Sequence, residues 1–256
     1  MESHMLTDER HDVIRALLLS DGRVVATELA ARFGVSEDTV RRDLRELAKA
    51  GYCRRVHGGA LAPAPVALPI SARVEKDADA KTRLAAEAVK LLQPRHTVFI
   101  DAGSTNYAIA RAIPRSMELT VVTNAPAIAA ALADHEHVTI IMLGGIYNGE
   151  LGSVSGNTTV EAIEAIYADL VFLGTCAIDL TFGVSALDAV EAEVKRSMVM
   201  QSRALVVAAT ADKLGLAAPF RIARPEALTH LVVEGDADPG LLEDFATQGT
   251  TVHHAT

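Results

Sequence analysis

Between Ala26 and Lys49 the chain places a short amphipathic helix, a glycine turn and a capped longer helix in succession, an order and spacing that few folds accept. Leu29 and Phe33 share one face of a helix expected over Ala26 to Phe33, and Gly34 supplies the permissive backbone of a tight turn. Ser36 is suited to cap the next helix, and Glu37 and Asp38 in its first turn complement the helix dipole. Val40, Leu44, Leu47 and Ala48 then recur at helical spacing, with Arg41, Arg45 and Lys49 on another face and Arg42 beside them. Upstream, Thr7, Asp8 and Glu9 open a helix carrying Val13, Ile14, Leu17 and Leu18, which Asp21-Gly22 ends. Downstream, Gly51 reads as a left-handed stop, Tyr52 to His57 is extended and basic, and Gly58-Gly59 closes the segment. The expectation is a winged helix-turn-helix, with the third helix shaped for a DNA major groove.

Charge has to be read locally. The chain carries 24 basic and 33 acidic groups, a net −9, which at first opposes nucleic-acid binding. Residues 1–60, however, hold ten of each sign, so the whole deficit lies in residues 61–256. Within 39–57, Arg41, Arg42, Arg45, Lys49, Arg54 and Arg55 face only Asp43 and Glu46, a local +4. That is the footprint of one DNA-facing edge on an acidic body. Arginine reads guanine bidentately, while other basic groups hold phosphates.

The run LAARFGVSEDTVRRDLRELAKAGYCRRVHGGA resembles the signature helix-turn-helix of the DeoR family of bacterial transcriptional regulators. The resemblance covers about the first 60 residues. It implies DNA contacts from Ser36, Thr39, Arg41 and Arg42, and a wing carrying Arg54, Arg55 and His57; charge and position add Arg45. Met1 to Met5 reads as a cloning remnant with the natural start at Met5, so the DNA-binding domain is expected over 5–60. Residues 61–72, with Pro63, Pro65 and Pro69, are expected to form a stiff linker, and 73–256 a second domain.

In that second part, short apolar, β-branched runs alternate with helical segments. Thr97 to Asp101, Leu119 to Thr123, Val138 to Leu143, Leu170 to Gly174, Ala204 to Ala208 and His230 to Glu234 are the expected strands. Ala125 to Ala133 and Asn157 to Tyr167 are among the intervening helices. The fold class is α/β, a doubly wound, mostly parallel sheet, whose ligands bind at strand carboxyl ends. Three loops there suit an anion: Asp101 to Thr105 with Gly103, Ser104 and Thr105; Thr123-Asn124; and Gly144-Gly145.

These loops are similar to those of the DeoR-family sensor domain, which shares its fold with ribose-5-phosphate isomerase and glucosamine-6-phosphate deaminase. The similarity runs from about Arg73 to Lys213. It implies a phosphorylated sugar or related metabolite held near Asp101, Gly103, Ser104, Thr105, Thr123, Asn124, Gly144 and Gly145. Asp179, Glu193, Lys195 and Lys213 match further polar positions of that cavity, Glu193 resembling the isomerase base. Thr210 stands where family members often place an aspartate.

An isomerase carrying a DNA-binding module is the alternative. The isomerases place a lysine and a glycine-rich loop where this chain has Leu180 to Ser185, with no lysine and one glycine. General acid–base chemistry on a sugar phosphate needs groups placed beside the reacting carbons, so recognition without turnover is expected. No cofactor is expected beyond the phosphorylated effector. No metal is expected either: His135 and His137 lack ligand partners at helical spacing, as do His253-His254, and all are expected in solvated loops or at the terminus. Cys53 and Cys176 form no C-x-x-C pair, and no run is long and apolar enough for a membrane span, so a cytoplasmic repressor is expected. One helix-turn-helix reads one half-site, hence at least a homodimer, or a homotetramer, on double-stranded operator DNA.

Overall fold

The computed structural model describes residues 6–50, 52–56, 58–61, 69–235 and 237–256. Gly51 and His57 lie outside the described residues, as does most of the expected linker.

The amino-terminal part runs α1 (Thr7–Asp21), β1 (Arg23–Val25), α2 (Ala26–Phe33), α3 (Glu37–Lys49), β2 (Arg54–Val56) and β3 (Gly59–Leu61). Gly22 and Gly34 cap α1 and α2 in the left-handed conformation. Ser36 caps α3, its hydroxyl accepting from the Thr39 amide at 3.2 Å. Ile14, Leu18, Leu29, Phe33, Val40, Leu44 and Leu47 form one buried cluster, as the helical spacing predicts. The three strands form a sheet in the order β1-β3-β2. Strand β1 escapes sequence reading because three residues are too few to display a period. Gly59 is required by close approach: a Cβ there would lie 2.0 Å from the Val24 carbonyl oxygen.

Next come α4 (Ile70–Glu75) and α5 (Ala78–Ala88), so residues 70–72, read from sequence as linker, already begin a helix. The main sheet and its crossovers follow: β4 (Thr97–Ile100), α6 (Ser104–Ala112), β5 (Leu119–Thr123), α7 (Pro126–Leu132) and β6 (Val138–Met142). A two-stranded hairpin, β7 (Ile146–Asn148) and β8 (Ser153–Ser155), leads to α8 (Asn157–Glu164) and β9 (Ala168–Phe172). Strands β10 (Ala177–Asp179) and β11 (Gly183–Ala186) precede α9 (Ala189–Met200), β12 (Ser202–Ala209) and β13 (Phe220–Ala223). The chain ends with β14 (Leu228–Glu234), α10 (Pro239–Thr247) and β15 (Thr251–Ala255).

Seven strands form a parallel sheet in the order β15-β14-β12-β9-β4-β5-β6. Alternate residues supply its two faces: Phe99 and Val171 pack with α8, α9 and α10, while Val98, Ile100 and Phe172 pack with α5, α6 and α7. The chain winds from β4 outward to β6, then returns to place β9 on the other side of β4. This makes the β4/β9 boundary the topological switch point, where doubly wound sheets open a crevice for ligands. The six strands expected from sequence are all present within a few residues; β15 is an addition. His253 and His254 lie in this paired strand, His253 half-buried and His254 exposed. His135 is buried, its Nε2 3.1 Å from the Ile113 carbonyl oxygen.

Candidate functional site

The loops after β4 and β9 meet at the switch point. The Asp101 amide donates to the Phe172 carbonyl at 3.1 Å. Asn106 Nδ2 donates to the Asp101 and Phe172 carbonyls at 2.7 and 2.9 Å, tying the first turn of α6 to both strands. The Gly174 amide donates to Asp101 Oδ2 at 2.9 Å. Buried Lys195, from α9, reaches the same carboxylate, the Gly174 carbonyl at 2.8 Å and Glu191 Oε1 at 3.2 Å. Gly174 has no room for a side chain, since a Cβ would lie 2.3 Å from the Ala102 carbonyl oxygen and 3.2 Å from Lys195 Nζ. Burial alone would lower the Lys195 pKa, but Asp101 and Glu191 together more than offset it and hold the ammonium charged, above the ordinary lysine value.

Above this buried pair lies a cavity bounded by Gly103, Ser104 and Thr105, which open α6, by Thr175 and Cys176, and by Thr210, Asp212 and Lys213. The fourth wall comes from α4 and α5 and brings Arg73, Lys76 and Lys81. Lys81 donates to the carbonyls of Arg73 and Lys76 and so fastens the two helices together. Burial pushes its pKa down; Asp77 opposes that shift, and the neighbouring Lys213 and Lys76 reinforce it. Arg73 Nη2 donates to the Leu151 carbonyl at 3.2 Å, while its Nε is buried with no hydrogen-bond partner among the described residues. Asp212 partly neutralises the cluster, 3.7 Å from Lys76 and 3.6 Å from Lys213. The hydroxyls, the first-turn amides of α6 and the crowded cations suit a phosphoryl group, because each presents positive charge or a donor to one space.

Of the twelve positions expected from sequence, Gly103, Ser104, Thr105, Lys195 and Lys213 line this cavity, with Asp101 beneath it. Thr123 and Asn124 support it: Thr123 Oγ1 donates to the Ile100 carbonyl at 2.6 Å, and Asn124 Oδ1 accepts from the Ala102 amide at 3.1 Å. Gly144 and Gly145 pack against α8 instead. The Gly144 carbonyl accepts from Thr159 Oγ1 at 2.7 Å, and a Cβ on Gly145 would lie 2.2 Å from that oxygen. Asp179 is buried away from the cavity, its Oδ1 accepting from the Thr181 and Phe182 amides at 2.9 and 2.6 Å to form the turn between β10 and β11. Glu193 is exposed and outside the cavity; two residues are about 200° around a helix, so Glu191 faces the site in its place. Sequence reasoning missed Arg73, Lys76, Lys81 and Glu191. The Glu191–Lys195 spacing of i,i+4 is a signal that identifies the last of them.

On α3, Arg42, Arg45 and Lys49 are exposed, as is Arg41, which pairs with Glu37 at 2.8 Å. Ser36 and Thr39 hydroxyls bond each other at 2.9 Å at its start. Asp43, which counted against the basic patch, lies on the buried face and binds Arg10 at 2.8 and 3.0 Å, so the outer face is more basic than its sequence sum. Arg55 is exposed on β2, whereas Arg54 turns inward against the sensor part and lies 4.4 Å from the centre of the Phe182 ring.

Comparisons with family models and with known sequences agree with this division into two parts. The DeoR-like helix-turn-helix domain family matches residues 10–66, and the DeoR C terminal sensor domain family matches residues 76–235. The HTH-type transcriptional regulator GlpR of Haloferax volcanii is 32% identical over 97% of this chain and 98% of its own length. The glycerol-3-phosphate regulon repressor of Escherichia coli K12 is 32% identical over 82% of this chain and 84% of its own. Among solved structures, ribose 5-phosphate isomerase A of Methanocaldococcus jannaschii aligns with a TM-score of 0.40 at 15% identity, covering 54% of this chain and 55% of that one. No helix among the described residues is long and apolar enough to cross a membrane. With both halves matched in order, and full-length relatives above 30% identity, the chain belongs to the DeoR family of transcriptional regulators.

Proposed function

We propose that this regulator is a repressor whose sensor cavity binds a small phosphorylated metabolite of the sugar or polyol class and thereby changes its hold on operator DNA. The observation that carries the reading is the convergence of Arg73, Lys76, Lys81 and Lys213 on the first turn of α6 at the switch point. Lys81 is held below its ordinary pKa by burial, a strain that its lysine neighbours increase and a bound phosphate dianion relieves. The buried Lys195–Asp101 pair forms the floor that fixes both loops. The name of the Escherichia coli relative, a glycerol-3-phosphate regulon repressor, belongs to the same chemical class.

Ser36 at the cap of α3, Thr39, Arg41, Arg42 and Arg45 on that helix and Arg55 on the wing form the DNA-reading surface of this proposal. A single reader covers one half-site, so the working form is at least a homodimer, or a homotetramer, on repeated or palindromic operators. The test is to select a duplex from a random library with the pure protein, then titrate its binding against a panel of sugar phosphates and glycerol 3-phosphate. One phosphorylated compound is expected to shift operator affinity, and its dephosphorylated form to have far less effect. Equal responses to both forms contradict the proposal.

A further inference from the structure

One arginine of the wing is taken up by the sensor part. Arg54 alternates with exposed Arg55 along β2, so its side chain points inward, and its guanidinium stacks 4.4 Å over Phe182, at the turn between β10 and β11. Arg221 lies 5.5 Å from the same ring. Burial lowers the Arg54 pKa, and Asp179 opposes that shift; Asp179 is the carboxylate that shapes the Phe182 turn. Two further contacts join the same parts. A Cβ on Gly22 would lie 2.5 Å from the Gly215 carbonyl oxygen, and Leu216 packs into the apolar cluster of the winged helix.

Both holding segments start at the effector cavity. Thr175 and Cys176 line it immediately before β10, and Lys213 lines it immediately before Leu214, which bridges to Ile178 of β10. The cavity wall and the surfaces that hold the wing are thus successive stretches of the same backbone.

We propose that Arg54 is a positioning residue that locks the DNA reader onto the sensor part through Phe182, and that it makes no phosphate contact with DNA. The inference rests on the DNA-binding reading above, and its test separates the two. Salt slopes of binding to the selected duplex are measured for the parent, Arg54→Ala, Arg55→Ala, Phe182→Ala and Phe182→Trp, with folding checked by circular dichroism. Removing one lysine or arginine from a DNA phosphate reduces the slope by about one unit.

Arg55→Ala is expected to show that reduction, and Arg54→Ala and Phe182→Ala to keep the parent slope. Amide exchange in β1–β3 and at 214–216, measured without DNA, is expected to rise several-fold in both of the latter. An Arg54→Ala/Phe182→Ala double variant should exchange no faster than Phe182→Ala alone, since that substitution already removes the Arg54 contact. Phe182→Trp preserves an aromatic face for the guanidinium and should restore parent protection. A slope reduced by Arg54→Ala as by Arg55→Ala overturns the lock, as does unchanged exchange in Arg54→Ala and Phe182→Ala. Failure of the parent to bind any duplex sinks the DNA-binding reading alone, because the exchange arm still decides the contact.

Discussion

Arg42 and Lys195 are both long cations at candidate site positions, and their surroundings are opposite. Arg42 is exposed on α3 beside the capped first turn, where it can meet a base edge. Arg42→Ala is expected to weaken operator binding by about 1–3 kcal/mol and to relax specificity at one base pair, checked by gel-shift titration against single-base operator variants. Lys195 is buried between Asp101 and Glu191 and joins the loops of two strands. Lys195→Met leaves the Asp101 carboxylate buried without its cation, at an expected cost of about 3–5 kcal/mol in urea unfolding. A stability equal to the parent's contradicts that role. At this scale residue type is easier to read from sequence than direction. The glycine, hydroxyl and lysine positions of the cavity are legible because strand–loop–helix junctions repeat a simple pattern. Glu193 falls outside the cavity, and Arg54 turns toward Phe182, because a linear match does not say which way a side chain faces on its helix or strand.

The parallel strands announce themselves through β-branched runs such as Val138 to Met142, long enough to show what they are. The hairpin strands β7, β8, β10 and β11 contain three or four residues each and are recognisable only through their partners. Helices α4 and α5 carry much of the cavity's charge, yet their residues read as linker and ordinary surface, since nothing local marks which wall they complete. Two predictions belong to elements. Gly59→Ala drives a methyl against the Val24 carbonyl oxygen and is expected to destabilise the β1–β3 pairing by about 1–3 kcal/mol, read as weaker amide protection in the winged helix. The second concerns β14 and β15, where His230 Nδ1 lies 3.2 Å from His253 Nε2. Burial first, then the charge of His253, holds the His230 pKa below its ordinary value of about 6.5. The unfolded chain therefore binds more protons as pH falls below that value, so stability present above it is lost on acidification through the folded pKa. His230→Gln is expected to shrink the drop in urea midpoint between pH 7.5 and 5.5; an unchanged drop contradicts this.

At the scale of the molecule, an acidic body carries a basic reader, and the cavity at the switch point lies away from the α3 surface. A ligand alters operator affinity only through its differential affinity for two arrangements of these parts. The cavity walls that continue into β10 and the 214–216 segment give such arrangements a physical connection. In the proposed mechanism a phosphoryl group bound at the first turn of α6 controls DNA binding. Its most direct test is Thr105→Asp, which places a carboxylate at that turn and repels the phosphate by like charge. Phosphosugar binding is measured by calorimetry, and operator binding by gel shift with and without the active compound. The folded variant is expected to bind operator like the parent, to fail to bind the phosphosugar and to lose its response to it. A variant that binds the phosphosugar and responds to it as the parent does would show that the phosphoryl group is not held at the first turn of α6.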